Sequence, residues 1–117
     1  MRRFLQSLSV AAVLAVVAVP AFADDCAQPG PAPAVPDGAT ATVDQMKAAH
    51  EAIQSYVNIL QSEQDCVETR IKIAPKGTKA EVLQKLRDQG NAAIDQAKAL
   101  GDSYTAAVKA FKARTAK

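Results

Sequence analysis

The sequence predicts an all-α protein: an antiparallel two-helix hairpin with a proline-rich N-terminal arm packed along helix one. Three observations predict it. Two capping-box patterns, Thr42-Val43-Asp44-Gln45 and Thr78-Lys79-Ala80-Glu81, each open a long run rich in helix formers. Pro75 and Gly77 separate the two runs, and within each run apolar residues recur at the helical period.

The first segment, residues 1–23, reads as a secretory signal peptide. Arg2 and Arg3 precede an apolar run from Val10 to Val19, and Pro20 with the small-residue site Ala21-Phe22-Ala23 completes the pattern. The run is shorter than the roughly 20 apolar residues that cross a bilayer. Cleavage near Ala23 is therefore expected, and with it a periplasmic mature chain that has no transmembrane segment. Asp24 and Asp25 stand where a lipoprotein signal needs small residues before its cysteine, so lipid attachment at Cys26 is not expected.

The arm follows over 24–41. Pro29, Pro31, Pro33 and Pro36 forbid helix there, because proline lacks the amide donor and fixes φ. Helix one is expected over about 43–73 and helix two over about 79–115, making 42–117 the hairpin. The short connection permits only an antiparallel pair.

On helix one, Met46, His50, Ile53, Val57, Leu60, Gln64, Val67 and Ile71 form one stripe; on helix two, Leu83, Leu86, Gly90, Ile94, Ala97, Gly101, Tyr104, Val108 and Phe111 form its partner. With the turn centred near Gly77, Ile53 faces Gly101, Leu60 faces Ile94, Gln64 faces Gly90 and Met46 faces Val108. Large residues then meet small ones along the seam. A second stripe on helix one, Ala48, Ala52, Ile59, Cys66 and Ile73, needs another cover. The apolar arc of helix two is likewise wide, since Val82, Ala93, Leu100 and Ala107 flank the seam.

The arm is the economical cover. Cys26 to Thr42 extends about 50 Å as polyproline, whereas Thr42 to Cys66 covers about 36 Å of helix. The only two cysteines, Cys26 and Cys66, both follow the cleavage site, and an exported protein meets conditions that oxidise such a pair. A Cys26–Cys66 disulfide is therefore expected. In the chain-entropy account, closing a loop of that length stabilises by about 4 kcal/mol. The 94 residues after Ala23 make one small domain, for which such a staple matters.

Charge and motif content exclude several functions. The formal charge is +2, with 14 basic and 12 acidic residues, but removal of Arg2 and Arg3 balances the two signs. Nucleic acid is accordingly excluded as a partner. His50 is the only histidine and lacks companions at metal-ligand spacing, so no metal is expected. Met46 and His50 lie on one face of one helix and cannot flank a haem; His50 reads as a partly buried neighbour of Tyr104. The cysteines are too far apart in sequence for thioredoxin-type exchange. Glu63, Asp65 and Glu68, beside Arg70 and Lys72, read as a solvated helix surface. No nucleophile–base arrangement or phosphate loop is present, so no enzyme, no catalytic residue and no cofactor are expected. Lys109, Lys112, Arg114 and Lys117 suit the negative end of helix two, a reading preferred to docking on an anionic surface.

The stretch from Cys26 to Met46, with its prolines, Pro36-Asp37-Gly38 and Ala39-Thr40-Ala41-Thr42, together with Tyr56 and Cys66, resembles small exported helical proteins of Gram-negative bacteria that carry a signal peptide and two cysteines. The resemblance covers about a third of the chain and brings no activity with it. It implies an envelope location and a disulfide-tied helical module. The functional expectation is a periplasmic structural or interaction module acting by contact, whose spare apolar surface takes a second copy or an envelope protein. The alternatives are a small-ligand or lipid carrier, with the ligand unassigned, and an amphipathic protein of the envelope surface.

Overall fold

A computed structural model describes residues 26–116; the signal peptide expected over 1–23 and its cleavage site lie outside the described residues. Two helices, α1 (Val43–Ile73) and α2 (Ala80–Thr115), pack against each other as an antiparallel hairpin, and the described residues contain no strand.

Helix α1 starts where its capping box places it. The Thr42 hydroxyl accepts from the Gln45 amide at 3.1 Å, and the Gln45 side chain accepts from the Thr42 amide at 2.9 Å. Two otherwise unpaired donors of the first turn are thereby satisfied. The helix stops at Ala74 ahead of Pro75. Gly77, at φ +89°, occupies the third position of a turn closed by the Thr78 amide on the Pro75 carbonyl, a position where glycine alone avoids strain.

The second capping box does not form. Lys79, not Thr78, is the N-cap of α2, and no side chain caps that end. The Thr78 hydroxyl donates to the Pro75 carbonyl at 2.6 Å, which directs it toward the turn, and α2 begins one residue later.

The core follows a 3.5-residue spacing. On α1 the buried residues are Met46, Ala49, Ile53, Tyr56, Leu60, Glu63 and Val67; on α2 they are Gly90, Ala93, Leu100 and Ala107. Steps of three and four in alternation keep one seam facing the partner helix along the whole length. The line through Met46, Ile53, Leu60 and Val67 lies where periodicity put it. Its buried flank is Ala49, Tyr56 and Glu63 rather than His50, Val57 and Gln64. On α2 the seam turns the same way: Ala93, Leu100 and Ala107 are buried, while Ile94 is 45% exposed.

The expected glycine pairings change with that rotation. A Cβ added at Gly90 would stand 3.2 Å from the Val67 side chain, whereas one at Gly101 would meet nothing within 4 Å. Gly90 thus has a packing role, and Gly101 has none. The physical reason for the rotation is the proline-rich segment. Val35 packs against both core clusters, and Gly38 presses onto the α2 backbone so closely that a Cβ there would lie 1.8 Å from the Ala107 carbonyl oxygen. The flank that this segment touches is the flank that becomes buried, and the stripe expected beneath it stays open apart from Cys66: Ala48 and Ala52 are exposed, as are Ile59 at 50% and Ile73 at 67%.

Candidate functional site

The chemistry-bearing side chains gather where the proline-rich segment meets the two helices. Cys26 and Cys66 form a disulfide across 40 residues, with Cα atoms 5.8 Å apart, and Cys26 is buried. Three residues before Cys66, one turn away on α1, Glu63 is only 6% exposed. A buried carboxylate requires a donor. Gln89 of α2 supplies it, its side-chain amide donating to Glu63 at 2.8 Å and to the Cys26 carbonyl at 3.3 Å.

A second cluster repeats the arrangement seven residues away on each helix. The Gln96 amide donates to the Tyr56 hydroxyl at 2.8 Å, and that hydroxyl donates to the Gly30 carbonyl at 2.9 Å. Moving seven residues back along α1, from Glu63 to Tyr56, moves the partner seven residues forward along α2, as antiparallel register requires. In both clusters an α1 side chain, an α2 glutamine and a backbone carbonyl of the N-terminal segment are joined. A cleft of about 320 Å³ lies along this line, lined by Gly30, Tyr56, Glu63, Gln89 and Gln96 among others.

Further along, the Tyr104 hydroxyl donates to the Met46 carbonyl at 3.3 Å, and the Arg114 guanidinium donates to the Ala41 carbonyl while lying over the Phe111 ring at 5.1 Å. The Pro36-Asp37-Gly38 turn is closed by its own bonds: the Ala41 amide reaches the Asp37 carbonyl at 2.8 Å, and the Ala39 amide reaches the Asp37 carboxylate at 2.9 Å. That turn redirects the chain into the Thr42 cap.

Sequence reading paired the cysteines but put Glu63 on the solvated surface. The structure buries it, because the segment tied at Cys66 covers that side of α1. The signal that could have marked it is the matched seven-residue spacing of Tyr56 and Glu63 with Gln89 and Gln96. His50 is exposed rather than partly buried; its ring sits 5.6 Å from that of Tyr104 on the flank without the N-terminal segment. Among the described residues no group of three His, Cys, Asp or Glu side chains could hold a metal ion. The Lys98–Asp102 ion pair, at 2.8 Å, is exposed on both sides; its hydrogen bond to Asp102 raises the Lys98 pKa without adding much stability.

Away from the hairpin turn, two further clefts have no residue of the N-terminal segment in their lining. One, about 340 Å³, is bounded by Val43, Met46, His50, Tyr104, Val108 and Phe111, and the other, about 200 Å³, by Gln64, Val67, Ile71, Gly90 and Ile94 among others. They mark an open groove on the far flank of the helix pair. No helix of the described residues is long and apolar enough to cross a membrane. No family model, no curated protein and no solved structure matches this chain.

Proposed function

We propose that the protein is exported to a Gram-negative periplasm and works there as a structural or interaction module, by protein contact and without catalysis. In this reading the proline-rich segment is a strap packed along α1 and gripped by α2, which dedicates one flank of the hairpin to intramolecular packing. The other flank is left for a second copy of the chain. The observation that carries the reading is the open groove, where Ile94 is 45% exposed and the missing side chain of Gly101 would meet nothing. Residues of that kind in one stripe beside a closed core favour burial by a further helix pair.

Size-exclusion chromatography with light scattering at high micromolar concentration tests it. A dimer is expected, and Ile94→Asp is expected to return a monomer of unchanged helicity. A strict monomer for the unsubstituted chain removes the self-association. A second reading, a carrier of a small apolar ligand, is favoured by the cleft floored by Met46, Val108 and Phe111. Native mass spectrometry of protein purified from its host then finds a copurifying ligand.

A further inference from the structure

The charge of this chain is segregated along its length. Between residues 26 and 69, six acidic residues stand against one basic residue, Lys47, and residues 88–117 carry five basic against three acidic. Between 72 and 87, around the hairpin turn, Lys72, Lys76, Lys79, Lys85 and Arg87 stand against Glu81 alone, a formal charge of +4. All five cations are exposed. The turn also exposes two large apolar side chains side by side with these cations, Ile73 at 67% and Val82 at 49%. Both line a cleft of about 580 Å³ with Pro75, Leu83 and Leu86.

Local stability does not account for this tip. Lys72 in the last turn of α1 suits the helix dipole. Lys79 does not: it is the N-cap of α2, where a cation faces the positive end of the helix and offers no oxygen to the free amides. Two large β-branched side chains held in water at the same end add a second local cost.

We propose that the hairpin tip docks on an anionic lipid bilayer surface. Ile73 and Val82 enter at headgroup depth, and Lys72, Lys76, Lys79 and Lys85 lie over lipid phosphates with their alkyl stems along the apolar surface. The acidic stretch 26–69 is repelled by the same surface, while the second cationic cluster, Lys109, Lys112 and Arg114, lies at the far end of α2 without the exposed apolar pair that the tip offers. This placement uses the end of the hairpin and leaves the lateral groove of the proposed dimer free.

Cosedimentation of the full disulfide-bonded chain with phosphatidylcholine vesicles, with and without phosphatidylglycerol, tests the proposal. Binding is expected only with the anionic lipid, and it falls as salt rises. Lys79→Asp is expected to lower partitioning about fivefold or more. The same variant should melt at a higher temperature, because it gains a helix cap. Loss of binding alongside a gain in stability is an outcome that damage to the fold cannot produce. Ile73→Ser with Val82→Ser is expected to lower partitioning by about tenfold or more with helicity unchanged. Equal binding to neutral vesicles, or no binding to anionic vesicles at low salt, overturns the proposal. So does binding that survives Lys79→Asp but is lost in Lys109→Ala with Lys112→Ala, which assigns the contact to the C-terminal end. Self-association without lipid that Lys79→Asp abolishes also overturns it, since the tip then meets the acidic body of a second copy.

Discussion

Replacing Gly38 by alanine tests the grip between the N-terminal segment and α2 most directly. The added methyl would stand 1.8 Å from the Ala107 carbonyl oxygen, 2.7 Å from the Ala107 carbonyl carbon and 3.0 Å from the Phe111 amide nitrogen. All three are helix backbone atoms, which cannot rotate away as a side chain end can. Overpacking a tight site costs about 1–3 kcal/mol, and immovable neighbours place this site at the upper end. Stiffening of the unfolded chain returns only about 0.4–1 kcal/mol. The net loss is about 2 kcal/mol, which lowers the melting temperature of a domain this size by about 8–16 °C.

Thermal and urea unfolding followed by circular dichroism measure that loss, with the disulfide kept oxidised. Hydrogen exchange at the Thr40 and Ala41 amides, which bond to the Asp37 carbonyl at 3.1 and 2.8 Å, reports whether the turn has lifted locally. Gly30→Ala is the matched control, because nothing lies within 4 Å of its Cβ position. It should be neutral or slightly stabilising. Gly101→Ala, in a helix interior with the same open space, should stabilise by about 1 kcal/mol. A Gly38→Ala protein as stable as the parent, with unchanged exchange at Ala41, refutes the close backbone contact.

Reducing the Cys26–Cys66 bond, or replacing both cysteines by serine, should cost about 4 kcal/mol for the 40-residue separation; an unchanged urea midpoint in reductant contradicts this. Gln89→Ala leaves the Glu63 carboxylate and the Cys26 carbonyl without their shared donor and should cost about 1–3 kcal/mol, read from the same midpoints. Thr42→Ala removes a working cap and should cost about 1 kcal/mol, while Thr78→Ala, whose hydroxyl serves only the turn, should cost clearly less. Equal losses for the two threonines would mean that α2 is capped after all.

The features legible in the sequence were those fixed by near neighbours or by chemistry with few options. Thr42 and Gln45 are three residues apart and form their box without outside help. Pro75 and Gly77 end α1 and turn the chain by their own backbone limits, and two cysteines can form one pairing. The rotation of the seam was a different kind of problem. The line through Met46, Ile53, Leu60 and Val67 has two flanks of mixed polarity, and hydrophobic periodicity does not rank them. What ranks them is contact with Val35 and Gly38, residues that lie outside both helices. Glu63 was misplaced for the same reason: its burial depends on Gln89 and Cys26, each more than twenty residues away. At Thr78 the pattern is present but the box is not, because the Pro75–Thr78 turn directs the hydroxyl back to the Pro75 carbonyl and the helix begins one residue later, with Lys79 as N-cap.

The position of Gln89 bears on the order of assembly. Its amide holds the Cys26 carbonyl from α2, while the sulfur of Cys26 is bonded to α1. Contacts from both helices therefore hold Cys26 beside Cys66 in the folded chain, which predicts that the thiols oxidise faster once the helices have associated. Thiol-trapping during refolding would then act as a clock for helix pairing, and Gln89→Ala should slow the closure.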